Sequence, residues 1–174
     1  MQPAQPCTLS FRRACSKFAT GVAVATIRLP DGAPHGLTVN SFTSVSCSPP
    51  LVLVCIDHRC QLLTHFRQSQ YFGINVLAES QRNLSIRFSQ RHEDRFDSIA
   101  WQPGALGVPL LEGALAQIEC SLFQTHEAGD HTIFIGEVYR AIYNDGEPLI
   151  YYNSRYRKLE KSQTGMPELT PLPG

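Results

Sequence analysis

His35-Gly-Leu-Thr-Val-Asn-Ser-Phe-Thr-Ser-Val-Ser-Cys-Ser-Pro-Pro-Leu-Val-Leu-Val-Cys-Ile-Asp57 is the stretch that decides how this chain reads. It sets short hydroxyls and one amide (Thr38, Asn40, Ser41, Thr43, Ser44, Ser46) among apolar neighbours. After Ser48-Pro49-Pro50 it runs on through Leu51 to Ile56, apolar at every position. A strand whose polar members are small and uncharged gains little from facing bulk water. It is well suited to lie against a flat ligand that brings its own donors and acceptors. The apolar run predicts a central strand, covered on both faces.

Upstream, Ser10 is placed to cap a helix whose Phe11, Ala14, Cys15 and Phe18 fall at i, i+3, i+4 and i+7, with Gly21 suited to its end. Val22 to Ile27 reads as a strand, Leu29-Pro30-Asp31-Gly32 as a turn, and Gly36 to Val45 as one extended segment. Downstream come a short helix at Gln61 to Gln68, a strand at Tyr71 to Leu77 and a helix at Ser80 to Ser89 with Leu84 and Phe88 on one face. The mixed charges of Arg91-His92-Glu93-Asp94-Arg95 predict a solvated loop, and Trp101 to Glu112 a long connection rich in Gly and Pro. Beyond it, period-two alternation over residues 114–123, then His131 to Ile142 and Leu149 to Tyr152, predicts three antiparallel strands in succession. Turns at Glu127-Ala128-Gly129-Asp130 and Asn144-Asp145-Gly146 separate them. The expected fold is mainly β, a barrel with peripheral helices. It occupies residues 10–160, with an N-terminal arm over 1–9 and a Pro-rich tail over 161–174.

At 174 residues the chain has room for one sizeable core. Fifteen basic residues balance fifteen acidic ones without a basic stripe, which argues against nucleic-acid binding by phosphate neutralisation. Six consecutive apolar residues fall far short of a membrane span. Met1-Gln-Pro-Ala-Gln-Pro-Cys7 lacks the basic and apolar regions of a secretory signal, so a cytoplasmic protein is expected. None of the six cysteines forms a Cys-x-x-Cys pair, and Cys55 and Cys120 sit in apolar strand patterns, so reduced, mostly buried thiols are predicted. His58 with His65, and His126 with His131, lack a supporting carboxylate pattern, so no metal site is expected. No Gly-x-Gly-x-x-Gly follows a strand, and neither a P-loop nor a Gly-x-Ser-x-Gly occurs.

The blocks Gly36-Leu-Thr-Val-Asn-Ser-Phe-Thr-Ser-Val-Ser and Ser48-Pro-Pro-Leu-Val-Leu-Val-Cys-Ile-Asp resemble the signature of the flavin reductase family. Its members are small reductase components of two-component flavin-dependent monooxygenases, built on the FMN-binding split β-barrel. Phe72-Gly-Ile-Asn-Val-Leu, Arg87-Phe88, Gly107-Val-Pro-Leu-Leu-Glu-Gly, Gly129-Asp-His-Thr-Ile-Phe-Ile-Gly-Glu-Val and Pro148-Leu-Ile-Tyr-Tyr agree in order. The resemblance covers about residues 10–159.

It implies that Gly36, Leu37, Thr38, Val39, Asn40 and Ser41 contact the isoalloxazine ring and ribityl chain of FMN or FAD. The segment Cys55, Ile56, Asp57 and on to Cys60 would approach the ribityl-phosphate end, and Arg87, Phe88 and Ser89 would complete the phosphate side. Cys60 stands where relatives often carry a hydroxyl, and a thiol donates weakly. His131 by itself reads as a strand-start histidine open to water; the resemblance makes it the catalytic histidine beside the nicotinamide. Tyr151 to Tyr156, with Tyr152 and Tyr156 as contacts, form a further nicotinamide-side segment, where Asn153-Ser154 departs from the family's basic residue and glycine. The implied activity is NAD(P)H:flavin oxidoreduction, with NADH or NADPH as co-substrate, homodimer formation, and reduced flavin supplied to a monooxygenase. A flavoprotein that retains FMN and reduces a protein or ferric iron, and a non-catalytic flavin- or haem-binding module, are the alternatives.

Overall fold

The computed structural model describes residues 8–90 and 95–160. The expected arm up to residue 7, the tail from 161, and Arg91 to Asp94 lie outside the described residues. Helix α1 (Thr8–Cys15) begins before the expected Ser10 cap and buries none of its residues. It also stops well short of Gly21. The Ser16 hydroxyl turns back to the Arg13 carbonyl at 2.8 Å, and the Asn153 amide takes the Ser16 carbonyl at 2.8 Å, pulling the chain out of helix.

The strands are β1 (Thr20–Gly21), β2 (Ala23–Arg28), β3 (Pro34–Val39), β4 (Thr43–Cys47) and β5 (Pro50–Asp57). After α2 (Leu63–Gln68) come β6 (Tyr71–Val76) and α3 (Arg82–Ser89). The remainder is β7 (Trp101–Pro103), β8 (Pro109–Leu111), β9 (Ala116–Ala128), β10 (His131–Tyr143), β11 (Ile150–Tyr152) and β12 (Arg155–Arg157). Seven strands form one antiparallel sheet in the order β3-β2-β6-β9-β10-β5-β4, curled but not closed. The mainly β architecture with peripheral helices is thus present, with an open seam between its edges.

That seam falls inside the decisive stretch. Gly36 to Val45 is not one extended segment: β3 pairs with β2 at one edge, and β4 pairs with β5 at the other. The chain crosses over at residues 40–42. There the Ser41 hydroxyl accepts the Cys55 amide at 3.0 Å and donates to the Cys55 carbonyl at 3.2 Å. One side chain therefore replaces the ladder that would have closed the barrel.

Strand β2 is buried on both faces, and its period-two pattern divides it between two cores. Ala23, Ala25 and Ile27 pack with Val54, Phe66, Phe72 and Phe134 inside the curl. Val22 and Val24 pack with Leu77, Phe88 and Leu149 under α3. Strand β5 is internal, as expected, but only Val52, Val54 and Ile56 are buried; Leu51, Leu53 and Cys55 are half-buried on a face this chain leaves partly uncovered.

Three further expectations change. Residues 101–112 hold the β7–β8 hairpin rather than a plain connection, with Gly107 in the left-handed region (φ 76°). It is anchored where the Pro109 carbonyl accepts the buried Thr26 hydroxyl at 2.6 Å. Strand β11 leaves the main sheet and pairs with β1 and β12. Its hairpin with β12 turns on Asn153 and Ser154, both at positive φ (50° and 59°). Finally, the described cysteines are free thiols, but Cys15 and Cys47 are exposed, Cys55 and Cys60 half-buried, and Cys120 alone is buried. Burial pushes the Cys120 thiol up to about 12. Among the described residues no helix is long and apolar enough to cross a membrane.

Candidate functional site

Three hollows join end to end along the C-terminal part of β3. The first, about 440 Å³, has Leu37, Thr38, Asp57, Arg59, Cys60 and Arg95 among its walls, with Gln61, Phe88 and Ser89. The second, about 250 Å³, shares Thr38 and Ser89 and continues past Val39, Asn40, Ser85 and Tyr156. The third, about 540 Å³, shares Asn40 with the second and reaches His131, Phe11 and Phe18. The result is one groove along the seam, with Arg59 and Arg95 on the wall of the first hollow and Arg12 and His131 on that of the third.

Its floor and wall are tied together by side chains. The Thr38 hydroxyl donates to the Ser85 carbonyl of α3 at 2.7 Å, and the Ser85 and Tyr156 hydroxyls hydrogen-bond at 2.8 Å. Gly36 lies beneath the groove, where a Cβ would sit 3.0 Å from the Ala25 carbonyl oxygen. Its own carbonyl accepts Arg95 Nη1 at 2.7 Å.

Arg95 contradicts the solvated-loop expectation. It is only 9% exposed, and its Nε is buried with no hydrogen-bond partner. Burial lowers its pKa, and nearby Cys60 acts weakly the other way. A buried guanidinium with an unspent donor is costly unless an anion meets it. It therefore fits the phosphate of a flavin nucleotide, whose acceptor oxygens match a guanidinium fork.

On the same wall, Arg59 grips Asp57 through Nη2–Oδ2 at 2.6 Å and Nε–Oδ1 at 3.1 Å, and the Arg59 amide donates to Oδ1 at 2.8 Å. These hydrogen bonds hold the Asp57 carboxyl well below its usual range and raise Arg59. In the antiparallel register His131 stands opposite Asp57. Its Nδ1 lies 2.7 Å from Asp130 Oδ1, which lowers the Asp130 carboxyl. A carboxylate only accepts, so this contact places the ring proton on Nδ1 and leaves Nε2 for a ligand.

The groove gathers most of the sequence-predicted residues: Leu37, Thr38, Val39, Asn40, Asp57, Cys60, Phe88, Ser89, Tyr156 and His131. Others sit behind the walls. The Ser41 hydroxyl is engaged by Cys55, Ile56 is 1% exposed in the core, and Arg87 is part-buried on α3. The Tyr152 ring faces Lys17, whose Nζ lies 6.0 Å from its centroid. Sequence reasoning missed Arg95, Gln61, Ser85 and the two phenylalanines of the N-terminal segment, and it placed Arg59 and Tyr151 only as members of the segments 55–60 and 151–156. The Asp57-x-Arg59 spacing is a weak signal; a mixed-charge run offers none for Arg95.

His35, next to the Arg95 anchor, is half-buried, and burial lowers its pKa, with His65 and Arg95 adding to the effect. The unfolded chain then binds more protons just below pH 6.5, so stability is lost as pH falls through that window. Denaturant midpoints measured between about pH 7 and pH 5 are expected to fall more steeply in the wild type than in His35→Gln. Parallel slopes would contradict this.

The family model described as "Flavin reductase like domain" matches residues 15–160. The chain is 41% identical over 155 residues to a Rhodococcus NADH-dependent flavin reductase, covering 87% of this chain and 86% of that one. It is 37% identical over 155 residues to the flavin-dependent monooxygenase reductase subunit HsaB of Rhodococcus jostii, covering 88% and 79%. The solved structure of the Streptomyces globisporus NADH:FAD oxidoreductase SgcE6, in complex with NAD and FAD fragments, superposes with a TM-score of 0.86 at 35% identity, covering 93% and 99%. A seven-stranded sheet split along its β3–β4 seam, a groove lined by Arg95 and His131, and this coverage agree: the chain belongs to the flavin reductase family.

Proposed function

We propose that this chain reduces flavin with NADH, and that the seam groove is where both rings meet. The ring system of the flavin lies against Thr38, Val39 and Asn40, its phosphate reaches Arg95, and the nicotinamide enters on the His131 side. The observation that carries this reading is the unspent, buried Arg95 donor in a groove that also holds an oriented imidazole.

A flavin stacked on a reduced nicotinamide accepts a hydride directly, because the two cofactors carry the electronics of that step. The protein needs no nucleophile. Thr38, through Ser85 and Tyr156, fixes the ribbon on which the ring rests. The walls exclude water, and positioning two rings this way accounts for several kcal/mol, up to roughly 7–11 kcal/mol in the best intramolecular cases. His131 steadies the nicotinamide with the nitrogen that Asp130 leaves available.

Purified protein with FMN or FAD is expected to oxidise NADH, seen as loss of nicotinamide absorbance; no flavin-dependent oxidation would overturn the reading. His131→Asn is expected to raise the KM for NADH about tenfold while flavin binding changes less than about twofold, the loss of one hydrogen bond. Equal loss of both would remove His131 from the nicotinamide side. Reduced flavin then passes to a monooxygenase component, as the relationship to HsaB supports. A protein that stays yellow through dialysis would favour the retained-flavin alternative.

The chain works as a homodimer. Support comes from the half-buried outer face of Leu53 and Cys55 and from the large exposed Phe11, Phe18, Phe123 and Tyr139. Light scattering at micromolar concentration is expected to give twice the monomer mass, and a monomer would contradict it. Free thiols and the need for NADH fit the cytoplasm.

A further inference from the structure

Helix α1 buries none of its residues, yet its last turn is fastened. The Asn153 amide donates to the Ser16 carbonyl at 2.8 Å, and the Ser16 amide to the Arg12 carbonyl at 3.0 Å. These bonds tie α1 to the β11–β12 hairpin. What they hold in place is one wall of the third hollow, where Phe11, Arg12 and Phe18 stand with Tyr151 and His131.

Three cationic side chains lie on this segment, and they are disposed differently. Lys17 gives Nζ to Asn153 Oδ1 at 3.1 Å and lies 6.0 Å from the centroid of the Tyr152 ring. Arg13 is exposed and is not on the wall of the hollow. Arg12 is on that wall, and among the described residues its guanidinium meets no acceptor or carboxylate. The carboxylate next to His131, that of Asp130, is already tied to the imidazole at 2.7 Å. An unengaged guanidinium thus shares a hollow with the imidazole assigned above to the nicotinamide.

In NADH a single ribose separates the nicotinamide from a pyrophosphate ionised at both phosphorus centres. A guanidinium matches those oxygens in charge and in the spacing of its donors. The aromatic rings on the same wall cannot offset that charge; Arg12 can.

We propose that Arg12 binds the pyrophosphate of NADH and makes the dinucleotide a better hydride donor than a phosphate-free dihydronicotinamide, an assignment that rests on the nicotinamide lying beside His131. Arg12 is exposed, so water and salt screen the contact, and its effect is modest and falls on the KM for NADH.

The experiment compares NADH, NADPH and dihydronicotinamide riboside, which keeps the ring and ribose but has no phosphate, at saturating flavin. Wild type, Arg12→Gln, Arg12→Lys and Arg13→Gln are measured side by side. Arg12→Gln is expected to raise the KM for NADH and for NADPH alike by about three- to fivefold, the effect of one exposed ion contact. The KM for the riboside, kcat and the Kd for FMN are expected to stay within about twofold. Arg12→Lys is expected to recover most of the loss, and Arg13→Gln to match wild type. Added salt is expected to raise the wild-type KM for NADH more than that of Arg12→Gln. An unchanged KM for NADH in Arg12→Gln, or an equal rise for NADH and the riboside, would overturn the proposal. A loss confined to NADPH would put Arg12 at the 2′-phosphate and overturn it too, as would loss of the wild-type solution mass in Arg12→Gln, which would put Arg12 in a subunit contact. Wild type that oxidises neither NADH nor the riboside with flavin would instead sink the functional reading itself, and the Arg12 assignment with it.

Discussion

Arg95→Gln is expected to raise the KM for FMN and FAD by about ten- to a hundredfold and leave that for riboflavin within about twofold. The reasoning starts from burial. Arg95 is 9% exposed, gives Nη1 to the Gly36 carbonyl, and holds a buried Nε without a partner. A charge-assisted hydrogen bond to phosphate in such a setting is worth about 1.5–3 kcal/mol, which is that range of affinity. Glutamine keeps a donor for Gly36 while removing the charge, so the β3 edge stays in place. Arg95→Lys restores charge without the planar fork and is expected to recover part of the loss. Equal effects on riboflavin and on the phosphorylated flavins would show that Arg95 only holds β3.

The largest expected effect on stability lies at Gly136. This residue sits at a register shift in β10, and a Cβ there would meet Phe72 Cζ at 2.4 Å and Cys120 Cβ at 2.7 Å. Both neighbours are fully enclosed in the sheet core. Overpacking of this kind typically costs 1–3 kcal/mol, so Gly136→Ala is expected to destabilise by about 3 kcal/mol and Gly136→Val by more. Chemical denaturation measures it. Because the clash is with Phe72, the double variant Gly136→Ala/Phe72→Leu should lose less than the sum of its parts. Strict additivity would mean that the strain is relieved elsewhere.

How far the sequence carried this reading depended on the range of the forces involved. Strands β2, β5, β6, β9 and β10 were legible because their patterns are local: alternation or an unbroken apolar run, bounded by Gly, Pro or Asn. The break within residues 36–45 was not, because it depends on the Ser41 hydroxyl meeting a backbone that lies fourteen residues away. Strand β12 escaped notice for a similar reason. Its turn needs Ser154 at φ 59°, a conformation that serine does not advertise. The site divides in the same way. Thr38, Asn40, Asp57 and His131 belong to contiguous motifs that resemblance transfers directly. Arg95 sits in a run of mixed charge whose ordinary fate is solvation, and only the three-dimensional path after α3 carries it under β3. The helix over residues 8–15 shows the reverse case, a clear apolar stripe that finds no core within its own chain.

The seam groove as the flavin site is the claim on which the rest depends, and a crystal structure of the protein grown with FAD tests it most directly. The account predicts the tricyclic ring along Val39 and Asn40, between Tyr156 and His131, with a phosphate oxygen about 3 Å from Arg95. Flavin bound elsewhere, with Arg95 still facing no anion, would contradict it.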